Sequence, residues 1–150
     1  MPSTPPAPAT TAAAAVTTPK LSNAQLELSR RTAQSNLRAA ESLASTVYTN
    51  SGRQWTATIG TDLAGIDRSI TWNAPTSAGS TQVGFATSGD PVLVLAVRSA
   101  GGHCYFTKID NSVPGGTHYS ATHSSSATCD ASAPKWDAAT DATTVEAGWA

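Results

Sequence analysis

From Ser22 to Ser51 the chain contains neither proline nor glycine, and its apolar residues return every three or four positions. This run reads as one long helix over residues 22–51, and no other feature constrains the fold as strongly. About 28 residues rising about 1.5 Å each give a rod of about 42 Å, against about 30 Å for the diameter of a small domain. Part of such a rod is expected to protrude or to meet another chain.

Both ends of the helix are marked. Ser22 with Gln25 three residues on forms a capping box that satisfies two orphan backbone donors, and Leu21 and Leu26 stand where a hydrophobic staple would place them. Ala33, Leu37, Ala40, Ala44, Val47 and Tyr48 make the apolar stripe, widened by Leu43, while Arg30, Arg31, Arg38 and Glu41 fall mainly off it. Gly52 supplies the left-handed residue that commonly ends a helix.

Downstream the period changes to two. Gln54 to Ile59 alternates, with Trp55, Ala57 and Ile59 on one face, and predicts a strand. Thr61 to Gly65 reads as a turn, Ile66 to Trp72 as a weak strand, and Thr76 to Ser80 as a second turn. Gln82 to Thr87 and the aliphatic Val92 to Ser99 predict two more strands, the second central. Gly101-Gly102 turns the chain into His103 to Ile109, and Thr117 to Thr122 predicts a short edge strand after an Asp110 to Gly116 turn. Beyond Ser124 the chain reads as irregular, with Trp136 and Trp149 as anchors. The fold class expected is α+β: the helix laid across an antiparallel sheet of about four or more strands. Residues 21–150 form this domain, with sheet and loop over 54–150. Residues 1–20, rich in Pro, Ala and Thr, read as a disordered linker unable to bury enough surface to offset its ordering entropy.

Charge excludes some partners. Lys and Arg number 9 against 10 Asp and Glu, a net charge of -1, so there is no basic stripe for nucleic acid or anionic lipid. No segment approaches the roughly 20 apolar residues of a membrane-spanning helix; the longest run is Val92 to Val97. Hydroxyl residues are abundant and lysine is scarce, which suits a surface outside the cell. The two cysteines, Cys104 and Cys129, flank a Ser/Thr/Gly-rich loop and suggest a structural disulfide, with two separate buried thiols as the alternative. Closing a loop of about 26 residues would contribute roughly 3.5 kcal/mol.

Two stretches resemble a known family. Arg31-Thr32-Ala33-Gln34-Ser35-Asn36-Leu37-Arg38-Ala39-Ala40, running on to Val47-Tyr48-Thr49-Asn50-Ser51-Gly52, is similar to the helical part of type IV pilins and pseudopilins, most of all the actinobacterial pilin-like proteins. Ser99 to Lys108, then Gly115-Gly116-Thr117-His118-Tyr119, Thr128-Cys129 and Trp136, resemble that family's C-terminal disulfide loop. The resemblance spans about residues 21–136. It implies a structural subunit of an extracellular, cell-surface pilus that self-assembles by protein–protein packing and needs no cofactor. Such pilins begin with a leader, a processing site with a nearby glutamate and an apolar anchor. Here the Pro/Ala/Thr stretch stands in that place, and Glu27 lacks the apolar surroundings of the processing-site residue. The expectation is therefore a soluble piece or a variant without its anchor.

Candidate sites follow from these readings. Leu26, Leu28, Ala33 and Leu37 are the expected subunit contacts on the helix. Asp110, Asn111, His118, Tyr119 and His123 form a possible binding loop, which an adhesin-like minor pilin would use for a surface or glycan ligand. A secretion-system pseudopilin is the other alternative. His118 and His123 have zinc-ligand spacing and could combine with Cys104 and Cys129, but zinc sites usually pair their cysteines closely, so no metal is expected. Asp110-Asn111-Ser112 has too few acids for calcium. No nucleophile elbow, metalloprotease motif or phosphate loop occurs, and no enzyme activity is expected.

Overall fold

The computed structural model describes residues 20–55, 58–89, 92–112, 116–123, 126–133, 143 and 149. The linker expected over residues 1–20 lies outside this set except for Lys20, as does the anchor Trp136.

The long helix is present as α1, Asn23–Asn50. The capping box forms as the sequence predicts: Gln25 N–H donates to Ser22 Oγ at 3.2 Å, and Ser22 N–H donates to Gln25 Oε1 at 2.8 Å. At the other end Gly52 has φ 72° and Arg53 N–H donates to Tyr48 O at 2.8 Å. That is the six-to-one bond of a Schellman motif, and it holds even Arg53 at φ 63°.

Beside α1 lie α2 (Ile59–Ile66) and seven strands: β1 Thr71–Asn73, β2 Thr76–Ser77, β3 Gln82–Gly89, β4 Val92–Arg98, β5 His103–Asp110, β6 Thr117–His123 and β7 Cys129–Asp130. The main sheet has five strands in the order β1-β3-β4-β5-β6, and β4 is central as its aliphatic run predicts. The sheet is mixed rather than purely antiparallel, because β1 pairs with β3 in parallel, Trp72 opposite Val83. The reason lies in the connection. After Asn73 the chain crosses the cis Ala74–Pro75 bond, leaves the sheet to make β2, and re-enters at Gln82 running in its original direction. β2 pairs antiparallel with β7 to form a separate two-stranded ribbon.

Two expectations around residue 60 are corrected. The turn over Thr61 to Gly65 is replaced by α2, which also takes Ile59 from the end of the expected Gln54 to Ile59 strand, while Thr56 and Ala57 lie outside the described residues. Ile59 and Leu63 are buried one helical turn apart. Trp55 is buried without belonging to a strand, its ring 4.6 Å from that of Tyr48. Gly60 and Gly65 look like turn signals in sequence. In the fold Gly60 is where α2 approaches Phe85, for a Cβ there would lie 2.6 Å from Phe85 Cζ.

The sheet is covered on both faces, which is why the central β4 carries no polar residue before Arg98. On one face Ala33, Leu37, Ala40, Ala44 and Val47 of α1 pack with Val83, Leu93, Leu95, Val97, Tyr105, Ile109 and Tyr119. Small residues on the helix let it approach closely. Polar side chains then fix its position: Asn36 Nδ2 donates to Ser80 O at 2.8 Å, and Tyr119 OH donates to Glu41 Oε1 at 2.8 Å. On the opposite face Ala96, Cys104 and Phe106 meet Cys129 and Ala131. Cys104 and Cys129 are joined, their Cα atoms 5.6 Å apart, so the disulfide fastens the ribbon to the sheet. Gly84 is required beneath this ribbon, since a Cβ there would come within 2.7 Å of Pro75 O. The result is three layers: helix, sheet, ribbon.

Candidate functional site

The expected subunit contacts on α1 separate into two kinds. Ala33 and Leu37 are fully buried against the sheet, so they belong to the core and present nothing to a neighbouring chain. Their alternation with polar residues is an internal packing signal. Leu28 is 66 % exposed and Leu26 is half-buried against the β4–β5 turn. The first two turns of the helix therefore extend past its buried stripe, held down by Ser29 Oγ, which accepts from Ala100 N–H at 2.8 Å.

This end of α1 is strongly charged. Glu27 receives Arg30 Nη2 at 2.7 Å and Arg30 Nε at 2.9 Å, and Arg31 Nε at 3.0 Å. Those guanidinium bonds lower the carboxyl's pKa to about 2, although the group is solvent-exposed. The same bond to Glu27 raises Arg30. Asn23, Leu26, Glu27, Arg30, Ser99, Gly101 and His103 line a shallow cleft of about 250 Å³ between the helix and the β4–β5 turn.

The proposed binding loop is not one surface. Asp110 and Asn111 lie at the β5–β6 turn, where Asp110 accepts from Ser112 N–H at 3.0 Å and from its hydroxyl. Those two bonds lower the carboxyl's pKa. His118 sits across from Lys108 near that turn. His123 is at the far end of β6, five residues and about 17 Å away, and an odd separation puts it on the other face. Tyr119 is buried and committed to Glu41, so it is a core residue rather than a contact residue. The zinc set of His118, His123, Cys104 and Cys129 is ruled out because both sulfurs are consumed in the disulfide.

The aspartates are committed to backbone turns. Asp67, Asp110 and Asp130 each accept from the N–H and hydroxyl of the serine two residues later, the Asx arrangement expected of such segments. Asp62 differs: it lies in the first turn of α2 and accepts from Thr58 Oγ1 at 3.2 Å. Asp137 and Asp141 lie outside the described residues. Among the described residues no group of three or more His, Cys, Asp and Glu could hold a metal ion.

Two surface features escaped the sequence. One is an open groove of about 730 Å³ between α2 and β1, floored by Trp72, Phe85 and Ile70 and edged by Arg68 and Asn73. Of the aromatic residues that could have lined a surface, Trp55, Tyr105, Tyr119 and Trp149 are buried, whereas Trp72 is half-buried in this groove. The groove depends on α2, which the sequence does not announce. The second feature is a pair of histidines, His103 and His123, directly opposite each other on β5 and β6 with ring centroids 5.2 Å apart. His103 also stacks on Tyr105 at 6.2 Å. Burial, His123 and Arg30 together lower the pKa of His103. Only the hairpin register reveals this pair.

No helix among the described residues is long and apolar enough to cross a membrane. Comparison with protein-family models, with curated proteins and with solved structures gives no match.

Proposed function

We propose that the chain is a structural subunit of a type IV pilus-like extracellular filament, working at the cell surface by protein–protein packing and not by catalysis. One observation carries the reading. A 28-residue helix uses the stripe from Ala33 to Val47 to seal one face of the sheet, and its first turns carry exposed Leu28 beside Glu27, Arg30 and Arg31. An apolar residue framed by fixed charges suits a repeated contact between copies. On the other face the disulfide-held ribbon suits an exterior that must resist pulling and proteolysis, because reopening the closed loop restores entropy only after a covalent bond is broken.

The test is to shear surface filaments from producing cells, image them by electron microscopy and identify their subunits by mass spectrometry. Recovery of this chain as a repeating component supports the proposal. Recovery of the chain only as single copies, in cells that bear filaments built from other subunits, rejects it.

A second reading, a binding module of the same fold, draws on the Trp72–Phe85 groove, where an aromatic floor meets Arg68 and Asn73. A glycan screen in which Trp72→Ala abolishes a positive response would favour it over the filament subunit.

A further inference from the structure

We infer that His103 and His123 form a two-imidazole site for a divalent transition-metal ion, with Cu²⁺ held most tightly. This inference stands apart from the filament reading. The two residues face each other directly across β5 and β6, so the sheet fixes their separation rather than a flexible loop. Their ring centroids are 5.2 Å apart. Two imidazoles on one ion at about 2.1 Å per nitrogen have centroids about 5 Å apart at the tetrahedral angle and about 4.5 Å apart when cis on a tetragonal Cu²⁺, so the spacing suits a tetrahedral ion as it stands and Cu²⁺ after a closure of well under about 1 Å. The rings now meet edge to face, at 86°. Histidine's second side-chain torsion turns the ring about an axis through Cγ and close to the ring centre. Its energy surface is broad, so each ring can aim a nitrogen at the ion without moving its centroid.

The surroundings permit a cation. The positive charge of Arg30 opposes a cation at His103, but its guanidinium donates to both carboxylate oxygens of Glu27, Nη2 to Oε1 at 2.7 Å and Nε to Oε2 at 2.9 Å, and that carboxylate offsets part of the charge. Tyr105, itself packed on Trp149, flanks His103 with ring centroids 6.2 Å apart and bounds one side of the site. Both histidines are exposed, so the remaining coordination positions are open to water. Imidazole suits Cu²⁺, Ni²⁺ and Zn²⁺, and Cu²⁺ leads that series.

The experiment uses the oxidised 150-residue chain titrated with CuCl₂, and separately with ZnCl₂, by isothermal calorimetry, with electron paramagnetic resonance of the copper form. One ion per chain is expected, with a spectrum showing two nitrogen ligands. His103→Ala and His123→Ala should each weaken copper binding by about tenfold or more, at least the low end of the range for losing a second-shell partner. His118→Ala, on the opposite face of β6, should leave affinity unchanged. Because the two paired histidines are exposed, the variants should keep the wild-type circular dichroism spectrum. Equal affinity in the wild type and the His103→Ala/His123→Ala double variant would overturn the inference. So would half an ion per chain with dimerisation, because the two imidazoles would then come from different copies.

Discussion

Three glycine-to-alanine substitutions should change stability in different directions, for reasons set by what surrounds each Cα. At Gly84, where β3 passes under the ribbon, the new Cβ meets Pro75 O at 2.7 Å, Thr76 C at 2.8 Å and Ser77 N at 2.9 Å. All three are backbone atoms, so no side chain can rotate away and the ribbon itself must lift. That movement pulls on Ser77, whose hydroxyl donates to Gln82 O at 2.6 Å and accepts from Arg98 N–H at 3.0 Å. Overpacking of this kind costs about 1–3 kcal/mol, offset by about 0.4–1 kcal/mol from a stiffer unfolded chain. A net loss of about 1–2 kcal/mol is expected for Gly84→Ala. At Gly60 the Cβ would sit 2.6 Å from Phe85 Cζ, a partly buried ring that must shift, so a smaller loss is expected. At Gly65, in the same helix, nothing lies within 4 Å. Alanine there should stabilise α2 by up to about 1 kcal/mol through helix propensity. Urea unfolding of the oxidised protein, followed by tryptophan fluorescence, reads the midpoints, with unchanged slopes confirming that only stability moved. The expected order is Gly65→Ala above wild type, then Gly60→Ala, then Gly84→Ala. A Gly84→Ala midpoint equal to wild type, or Gly65→Ala falling below Gly60→Ala, would refute the packing argument.

Other consequences are open to equally direct measurement. Reducing the Cys104–Cys129 bond should lower unfolding free energy by roughly 3.5 kcal/mol, seen as a fall in urea midpoint with dithiothreitol; an unchanged midpoint would show that the ribbon needs no tether. Trp149 is 2 % exposed and donates from Nε1 to Phe106 O at 3.1 Å, so Trp149→Ala should cost about 3–5 kcal/mol, far more than Trp72→Ala at its half-buried site. The carboxyl of Glu27 is lowered from 4.5 to about 2 by its arginine partners. Its contribution to stability is therefore present above about pH 4.5 and disappears as pH falls through about 2, a sign fixed by the depressed folded-state value. A carbon-detected NMR titration should place the Glu27 midpoint near 2, and a midpoint near 4.5 would mean that the arginines do not hold it in solution.

The helix was legible because its signals are local. Capping by Ser22 and Gln25, the stripe from Ala33 to Val47 and the stop at Gly52 each require only a few neighbouring residues, and all three occur. The central position of β4 was legible for a related reason, since Val92 to Val97 can be satisfied only by burial on both faces. What failed depends on residues distant in sequence. Ile59 and Leu63 have helical spacing, but Gly60 and Gly65 mask it until Phe85 is known to lie against the helix. The parallel β1–β3 pairing follows from an excursion into the second layer, which turn residues at Asn73 to Pro75 do not encode. Site residues fared likewise. Leu28 is exposed, whereas Ala33, Leu37 and Tyr119 are apolar or aromatic for the sake of the core. The pairing of His103 with His123 needs the register of β5 on β6, which sequence spacing alone does not supply.

The proposal that copies of this chain pack through the first turns of α1 is tested most directly by photo-crosslinking within sheared surface filaments. A benzophenone side chain replacing Leu28, 66 % exposed, should give a ladder of dimers and higher multiples of the chain, and the same group at exposed Ala133 on the ribbon side should give none. Filaments that contain the labelled chain yet yield only single chains from position 28, or a ladder from position 133 instead, would contradict it.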